Sequence, residues 1–205
     1  MANTTFNGPV RSENGFQQIS KSSSGVITVT SGDKMATEAT GSAGIEGTAA
    51  VYVTQVTRLK SDVTTNVNIV KTTIMIDLTG LKDGGTAGDI IGKDGSGVAF
   101  IGKVTAANQG SVFGVTMQCV EAPAGGSADI DLFSATEGTG VNDTAIGDLT
   151  ETQIINAGTQ AAGTLTAGGD IAADQFLYLV SQGTGDATYT AGRLLIEITG
   201  FDVAS

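Results

Sequence analysis

Thr73-Ile-Met-Ile-Asp-Leu-Thr79, Val98-Ala-Phe-Ile-Gly-Lys-Val-Thr105, Val112-Phe-Gly-Val-Thr-Met-Gln-Cys-Val-Glu121 and Asp129-Ile-Asp-Leu-Phe133 decide the fold class. Each is short, β-branched or aromatic, and fenced by Gly, Asn, Asp or Pro, the pattern of successive strands in antiparallel sheets. In the first, Ile74, Ile76 and Leu78 alternate with Thr73, Met75 and Asp77. Successive side chains of a strand go to opposite faces, so one face can form a dry core. In the second, Val98, Phe100 and Gly102 oppose Ala99, Ile101 and Lys103, which predicts burial on both sides at its centre.

Working outward, Ala49-Ala-Val-Tyr-Val-Thr-Gln-Val-Thr-Arg58 opens the globular part, and Val63 to Val70 leads into the first strand above. Lys93-Asp-Gly-Ser-Gly97 and Ala106-Ala-Asn-Gln-Gly110 suit hairpin connections. Asp148-Leu-Thr-Glu-Thr-Gln-Ile-Ile-Asn-Ala157 predicts a helical turn, with Asp148 as N-cap and Glu151 three residues on. Residues 158–174 are a Gly/Ala/Thr loop, and Gln175-Phe-Leu-Tyr-Leu-Val-Ser181 and Arg193-Leu-Leu-Ile-Glu-Ile-Thr-Gly-Phe201 are the last strands. Nine or ten strands and at most one short helix favour an all-β, antiparallel, jelly-roll-like β-sandwich over βαβ units. Residues 1–48 are polar and punctuated by Asn7-Gly-Pro9, Glu13-Asn-Gly15 and Ser22-Ser-Ser-Gly25, with one short strand at Val26-Ile-Thr-Val-Thr30. They are expected to form an extended N-terminal arm, and 49–205 a single sandwich domain.

The chain has 205 residues, enough for one sizeable all-β domain of roughly 200–250 residues. Charged residues make up only 15%, against a usual ~25%. Gly is abundant at 30 residues, a turn-rich composition rather than a disordered one. The formal charge of −11 disfavours phosphate backbones, so no nucleic-acid partner is expected. The first residues have no basic region or apolar run, and no stretch approaches the ~18 apolar residues of a membrane span. The expectation is a chain made soluble in a host cytoplasm, with no membrane partner.

With no histidine there is no Ser-His-Asp triad and no imidazole ligand. The lone Cys119 cannot form an internal disulfide; a buried, inert thiol outranks a nucleophile. Asp129 and Asp131 lie two apart on a predicted strand, hence on one face. A solvated or turn-capping role ranks first for them, a Ca²⁺ or Mg²⁺ site second and glycosidase-like catalysis last. Asp83-Gly-Gly and Asp94-Gly-Ser-Gly are fragments of calcium-loop sequence without the spaced acidic series or closing Glu. Gly163-Thr-Leu-Thr-Ala-Gly-Gly169 lacks the Lys-Ser/Thr ending of a phosphate loop. Arg11, Arg58 and Arg193 suit either ion pairs across a subunit boundary or simple solvation. No catalytic residue, cofactor or metal is expected.

Phe6-Asn-Gly-Pro-Val-Arg-Ser-Glu-Asn-Gly-Phe16 resembles the opening of small structural proteins of marine tailed bacteriophages. Ile76-Asp-Leu-Thr-Gly80, Ile101-Gly-Lys-Val-Thr105, Met117-Gln-Cys-Val-Glu-Ala-Pro123, Gly126-Ser-Ala-Asp-Ile-Asp-Leu132 and Tyr189-Thr-Ala-Gly192 resemble phrases of the same group. The likeness spans most of the chain and carries no catalytic signature. It implies a virion component on the capsid exterior: a non-enzymatic head decoration (cement) protein with a jelly-roll-like body. Its implied partners are the major capsid protein and further copies of itself, as a homotrimer. Phe6, Pro9, Val10, Arg11, Phe16 and Ile19 are the candidate capsid or subunit contacts within the arm. The alternative is a tail-fibre or adhesin tip that binds a host glycan, against which the 5% aromatic content and absence of Trp weigh. A carbohydrate-active enzyme ranks last.

Overall fold

A computed structural model of the chain describes residues 18–21, 27–31, 42, 44–45, 51–59 and 66–204. They fall into two compact units, Met1–Lys34 and Met35–Ser205. Within the first, β1 (Gln18–Lys21) and β2 (Ile27–Ser31) form an antiparallel hairpin. The expected boundary after residue 48 lies outside the described residues. Ser42, Gly44 and Ile45, from the stretch expected to be arm, belong to the second unit. Ser42 and Gly44 donate to the Phe100 and Val98 carbonyls, and Ile45 is buried in the core.

The second unit is all-β and antiparallel, as expected. Its larger sheet contains β3 (Val51–Leu59), β4 (Asn66–Asp77), β7 (Ser111–Ala124), β10 (Leu165–Gly168) and β12 (Ala191–Ala204), in the order β10-β7-β12-β4-β3. The smaller sheet contains β5 (Asp89–Ile90), β8 (Ile130–Ala135), β9 (Glu151–Ile155) and β11 (Phe176–Ser181), in the order β5-β11-β8-β9. The two-residue β6 (Gly102–Lys103) also pairs with β11. Twelve strands are thus present among the described residues, against nine or ten expected.

The larger sheet follows the predicted alternation. Val70, Thr72, Ile74, Ile76 and Leu78 are buried while the intervening residues of β4 are partly exposed. Val115, Met117 and Cys119 of β7 and Leu194, Ile196 and Ile198 of β12 join them in one core. Each aliphatic side chain so buried contributes about 1.5–3 kcal/mol relative to exposure. The smaller sheet behaves differently. Every residue of β8 is buried, and so are all but the first of β11, so both of its faces are covered. One cover is the irregular chain between β5 and β7. There Ala99 and Ile101 are buried, and Phe100 stacks edge-on against Phe176 with ring centroids 5.0 Å apart.

Four local expectations are corrected, the first being the loop over residues 158–174, which contains β10 paired with β7. The predicted helical turn at Asp148 is a 3-10 turn, Ile146–Asp148, followed by β9. Its capping pattern is a local signal, overridden because β9 gains a full ladder against β8 and buries Ile154 and Ile155. Val98 to Thr105 is mostly irregular, hydrogen-bonding through single amides such as Ile101 N–H to the Leu177 carbonyl at 2.7 Å. The expected connection at residues 106–110 is a one-turn helix, α1 (Ala106–Gln109). Thr105 caps it: its hydroxyl accepts from Asn108 N–H, while its own N–H donates to Gln109 Oε1 at 2.8 Å. This reciprocal exchange resembles a capping box, with the returning side chain one residue later, at Gln109.

Candidate interaction surface

The outward face of the larger sheet holds the feature that the core does not explain. On β12 the odd-numbered residues Arg193, Leu195, Glu197, Thr199 and Phe201 point away from the buried even-numbered set. On β7 the buried parity is odd: Val115, Met117 and Cys119. Unbroken alternation would carry Phe113 and Glu121 into the core as well. It is broken twice. Gly114 pairs with Thr199 but Val112 with Gly200, leaving Phe113 as an extra residue. Cys119 pairs with Leu194 but Glu121 with Arg193, leaving Val120 extra. Such insertions bend a strand and re-aim side chains.

The consequence is direct. Phe113 is 55% exposed, with its ring centroid 6.2 Å from that of Phe201. Val120 is 47% exposed, and Glu121 turns outward to Arg193, Oε2 to Nη1 3.4 Å. Leu165, opposite Gln118 in the edge strand β10, is 61% exposed. Among the residues whose side chains are described, Phe113, Val120, Leu165 and Phe201 are the exposed large hydrophobics, and all four lie on β10, β7 and β12.

Two glycines set the limits of this face. At Gly200 a methyl group would overlap the Gln109 carbonyl oxygen, so the approach of α1 to β12 at the first bulge needs glycine. At Gly168 it would overlap the Ile154 carbonyl oxygen, where β10 passes against β9.

The charges on the face are paired with one another. Lys71 Nζ meets Glu197 Oε1 at 2.5 Å, and Arg193 Nε lies 3.4 Å from Asp77 Oδ2. Bonds from the Thr79 hydroxyl and N–H, and secondarily Arg193, hold the Asp77 carboxyl below its ordinary value. Beside the Lys71–Glu197 pair, a concavity of about 290 Å³ is lined by Lys71, Phe113, Thr116, Ala167, Glu197 and Thr199. A second concavity, also about 290 Å³, is lined by Ser134, Thr136, Thr150, Glu151, Asp170 and Gln175 on the other sheet.

Of the residues singled out from sequence, Arg193 lies on this face. Phe6, Pro9, Val10, Arg11 and Phe16 lie outside the described residues; Ile19 is in β1, opposite Val29. Asp131 is 1% exposed and accepts from Gln153 Nε2 at 2.9 Å and Ala157 N–H at 2.8 Å, a loop-tying role rather than a solvated one. Burial first, then the Asp131 charge, raises the Asp129 carboxyl above its ordinary value. Asp83 is buried and accepts from the Ser127 and Ala187 amides, each at 2.7 Å. Asp94 pairs with Lys82 at 3.4 Å. Among the described residues no three His, Cys, Asp or Glu side chains are grouped to hold a metal ion. Cys119 is buried, which pushes its thiol up. Arg193 is paired within the chain, and Arg58 sits in β3 opposite Asn68. Among the described residues no helix is long and apolar enough to cross a membrane.

The exposed apolar face escaped the sequence reading because both bulges fall inside one unbroken β-rich run. The visible signal was Glu121 at a core parity. No family model matches the chain, and no curated protein or solved structure proves similar to it.

Proposed function

We propose that this chain is a non-enzymatic bacteriophage decoration protein that binds the outer head surface and cements the shell by bridging neighbouring capsid subunits. The observation that carries the reading is the outward face of the larger sheet. Its Phe113, Val120, Leu165 and Phe201 are exposed on a sandwich whose other sheet has its central strands β8 and β11 almost wholly buried. Exposed apolar side chains gathered on one sheet face, here the Phe113–Phe201 pair toward one end and Val120 and Leu165 toward the other, mark surfaces that other proteins cover. The phage-like phrases along the chain support the same reading.

In this proposal the sandwich, with the jelly-roll-like character of the resembled group, is the stiff body. It associates with further copies, as a homotrimer, on the capsid exterior. The N-terminal residues, Phe6, Pro9, Val10, Arg11, Phe16 and Ile19 among them, reach the major capsid protein. Several weak arms on one oligomer bind with avidity, since each later contact forms at high effective concentration. The charge of −11 keeps unassembled copies apart and away from packaged nucleic acid.

Cryo-electron microscopy of purified virions tests this reading. Density for the sandwich on the shell, with the arm over capsid subunits, is the expected result. Density at the tail tip would instead assign a glycan-binding adhesin, and absence from the particle would end the virion reading. Deletion of residues 1–25 should lower occupancy on heads while the body stays folded; unchanged occupancy would refute the arm's role.

A further inference from the structure

We infer that the outward face of the larger sheet packs against a second copy of this chain, with the Phe113–Phe201 pair in the contact. The inference rests on reading that face as a protein-binding surface, and it names the partner.

Three observations carry the inference, and the first of them selects a copy over a foreign protein. The first is charge. The described side chains of the face include two basic residues, Lys71 and Arg193, and three acidic ones, Asp77, Glu121 and Glu197. Its balance is −1 in a molecule of −11, so nearly all the excess negative charge lies elsewhere. Two copies repel each other through most of their surfaces. They can approach where charge is balanced and already paired within each chain. A basic partner would be drawn to the acidic remainder of the molecule instead.

The second observation is size. β7 and β12 have 14 residues each, and at ~3.3 Å per residue they run roughly 45 Å. Five strands spaced ~4.8 Å apart are roughly 20 Å across, giving a footprint of about 900 Å². That matches the ~800 Å² per partner of a standard stable interface. The third is the bulges themselves. The first gives up regular ladder pairing and turns the apolar Phe113 outward, where it gains little within the chain, while the second turns Glu121 outward to Arg193. The Phe113–Phe201 pair lies toward one end of β7 and β12, and aromatic residues are enriched in interfaces.

Sedimentation of the purified full chain at micromolar concentration tests the inference, with wild type compared to Phe113→Thr/Phe201→Thr. Threonine suits strands, so the fold should persist, checked by circular dichroism and thermal unfolding. Wild type should sediment as a multimer, and the double variant should dissociate at concentrations about tenfold higher or more. If that variant misfolds, Leu165→Lys in the edge strand supplies the same readout. A monomeric wild type, or folded variants with undiminished association, would overturn the inference. Head binding is scored separately. A multimer that ignores heads would sink the capsid reading and leave this one standing. A monomer that loads onto heads would do the reverse.

Discussion

Replacing Asp83 by Ala should be among the most damaging single changes to the body. Its carboxylate is 1% exposed and ties together segments far apart in sequence: Oδ2 accepts from Ser127 N–H and Oδ1 from Ala187 N–H, each at 2.7 Å. Its own N–H donates to the Ala187 carbonyl at 3.1 Å. Beside it, Tyr189 donates its hydroxyl to the Ser127 carbonyl at 2.8 Å, and burial, then the Asp83 charge, raises that hydroxyl above its ordinary value. A hydrogen bond to a charged group contributes about 1.5–3 kcal/mol, and alanine strands both amide donors. Both amides are partly buried, so water recovers some of the loss, and about 3–5 kcal/mol remains. For a chain of this size 1 kcal/mol moves Tm by roughly 2–4 °C, so Asp83→Ala should lower it by about 6–20 °C. Asp83→Asn keeps one acceptor and turns an NH₂ group toward an N–H donor, which should cost about 2–3 kcal/mol. Urea and thermal unfolding followed by circular dichroism measure both. An Asp83→Ala protein within ~1 kcal/mol of wild type would refute the stapling role.

Gly200→Ala should destabilise the body by about 3 kcal/mol or more, because the methyl overlaps the Gln109 carbonyl oxygen and α1 must shift. A variant with wild-type Tm would contradict that close approach. Asp129 has its folded-state pKa raised, so the folded chain holds its proton longer than the unfolded one. Stability from this group therefore falls as pH rises from its ordinary value of 3.8 through the raised folded value. Asp129→Asn should remove that decline and stabilise the protein at neutral pH, read from Tm across a pH series; an unchanged pH profile would count against it. Asp77 has the opposite sign, its pKa being lowered, so its contribution is lost as pH falls below 3.8. Asp77→Asn should flatten the profile in that acid range.

Alternation made much of the fold legible. Ile74, Ile76 and Leu78 declared the core face of β4, and Val115, Met117 and Cys119 that of β7, because a half-buried strand writes its period into sequence. β9 was misread because Asp148 and Glu151 carry a helix-start signal and nothing local shows that β8 offers a free edge. β10 was missed because Leu165-Thr-Ala-Gly168 is short and rich in small residues, and becomes a strand only by pairing with β7. The interaction surface was hidden for another reason. A bulge depends on the register of two strands, so whether Phe113 faces in or out is settled by Thr199 and Gly200 far along the chain. Arg193 was noticed as an interface candidate, yet its partners Asp77 and Glu121 are set by the same long-range register.

The position of β12 between β4 and β7 has a kinetic consequence. The Arg193–Asp77 pair joins residues 116 apart, so the middle of the larger sheet cannot close until the chain has returned across that separation. Nucleation on such non-local pairing is slow, in the ms–s range typical of β-sandwiches. Meanwhile β4 and β7 each show an open edge that fits the same sequence, Arg193-Leu-Leu-Ile-Glu-Ile198, from any neighbouring chain. Crowded nascent copies would then exchange this strand, giving swapped species of native-like secondary structure. Refolding yield should therefore fall steeply with protein concentration, while dilution restores the monomolecular route.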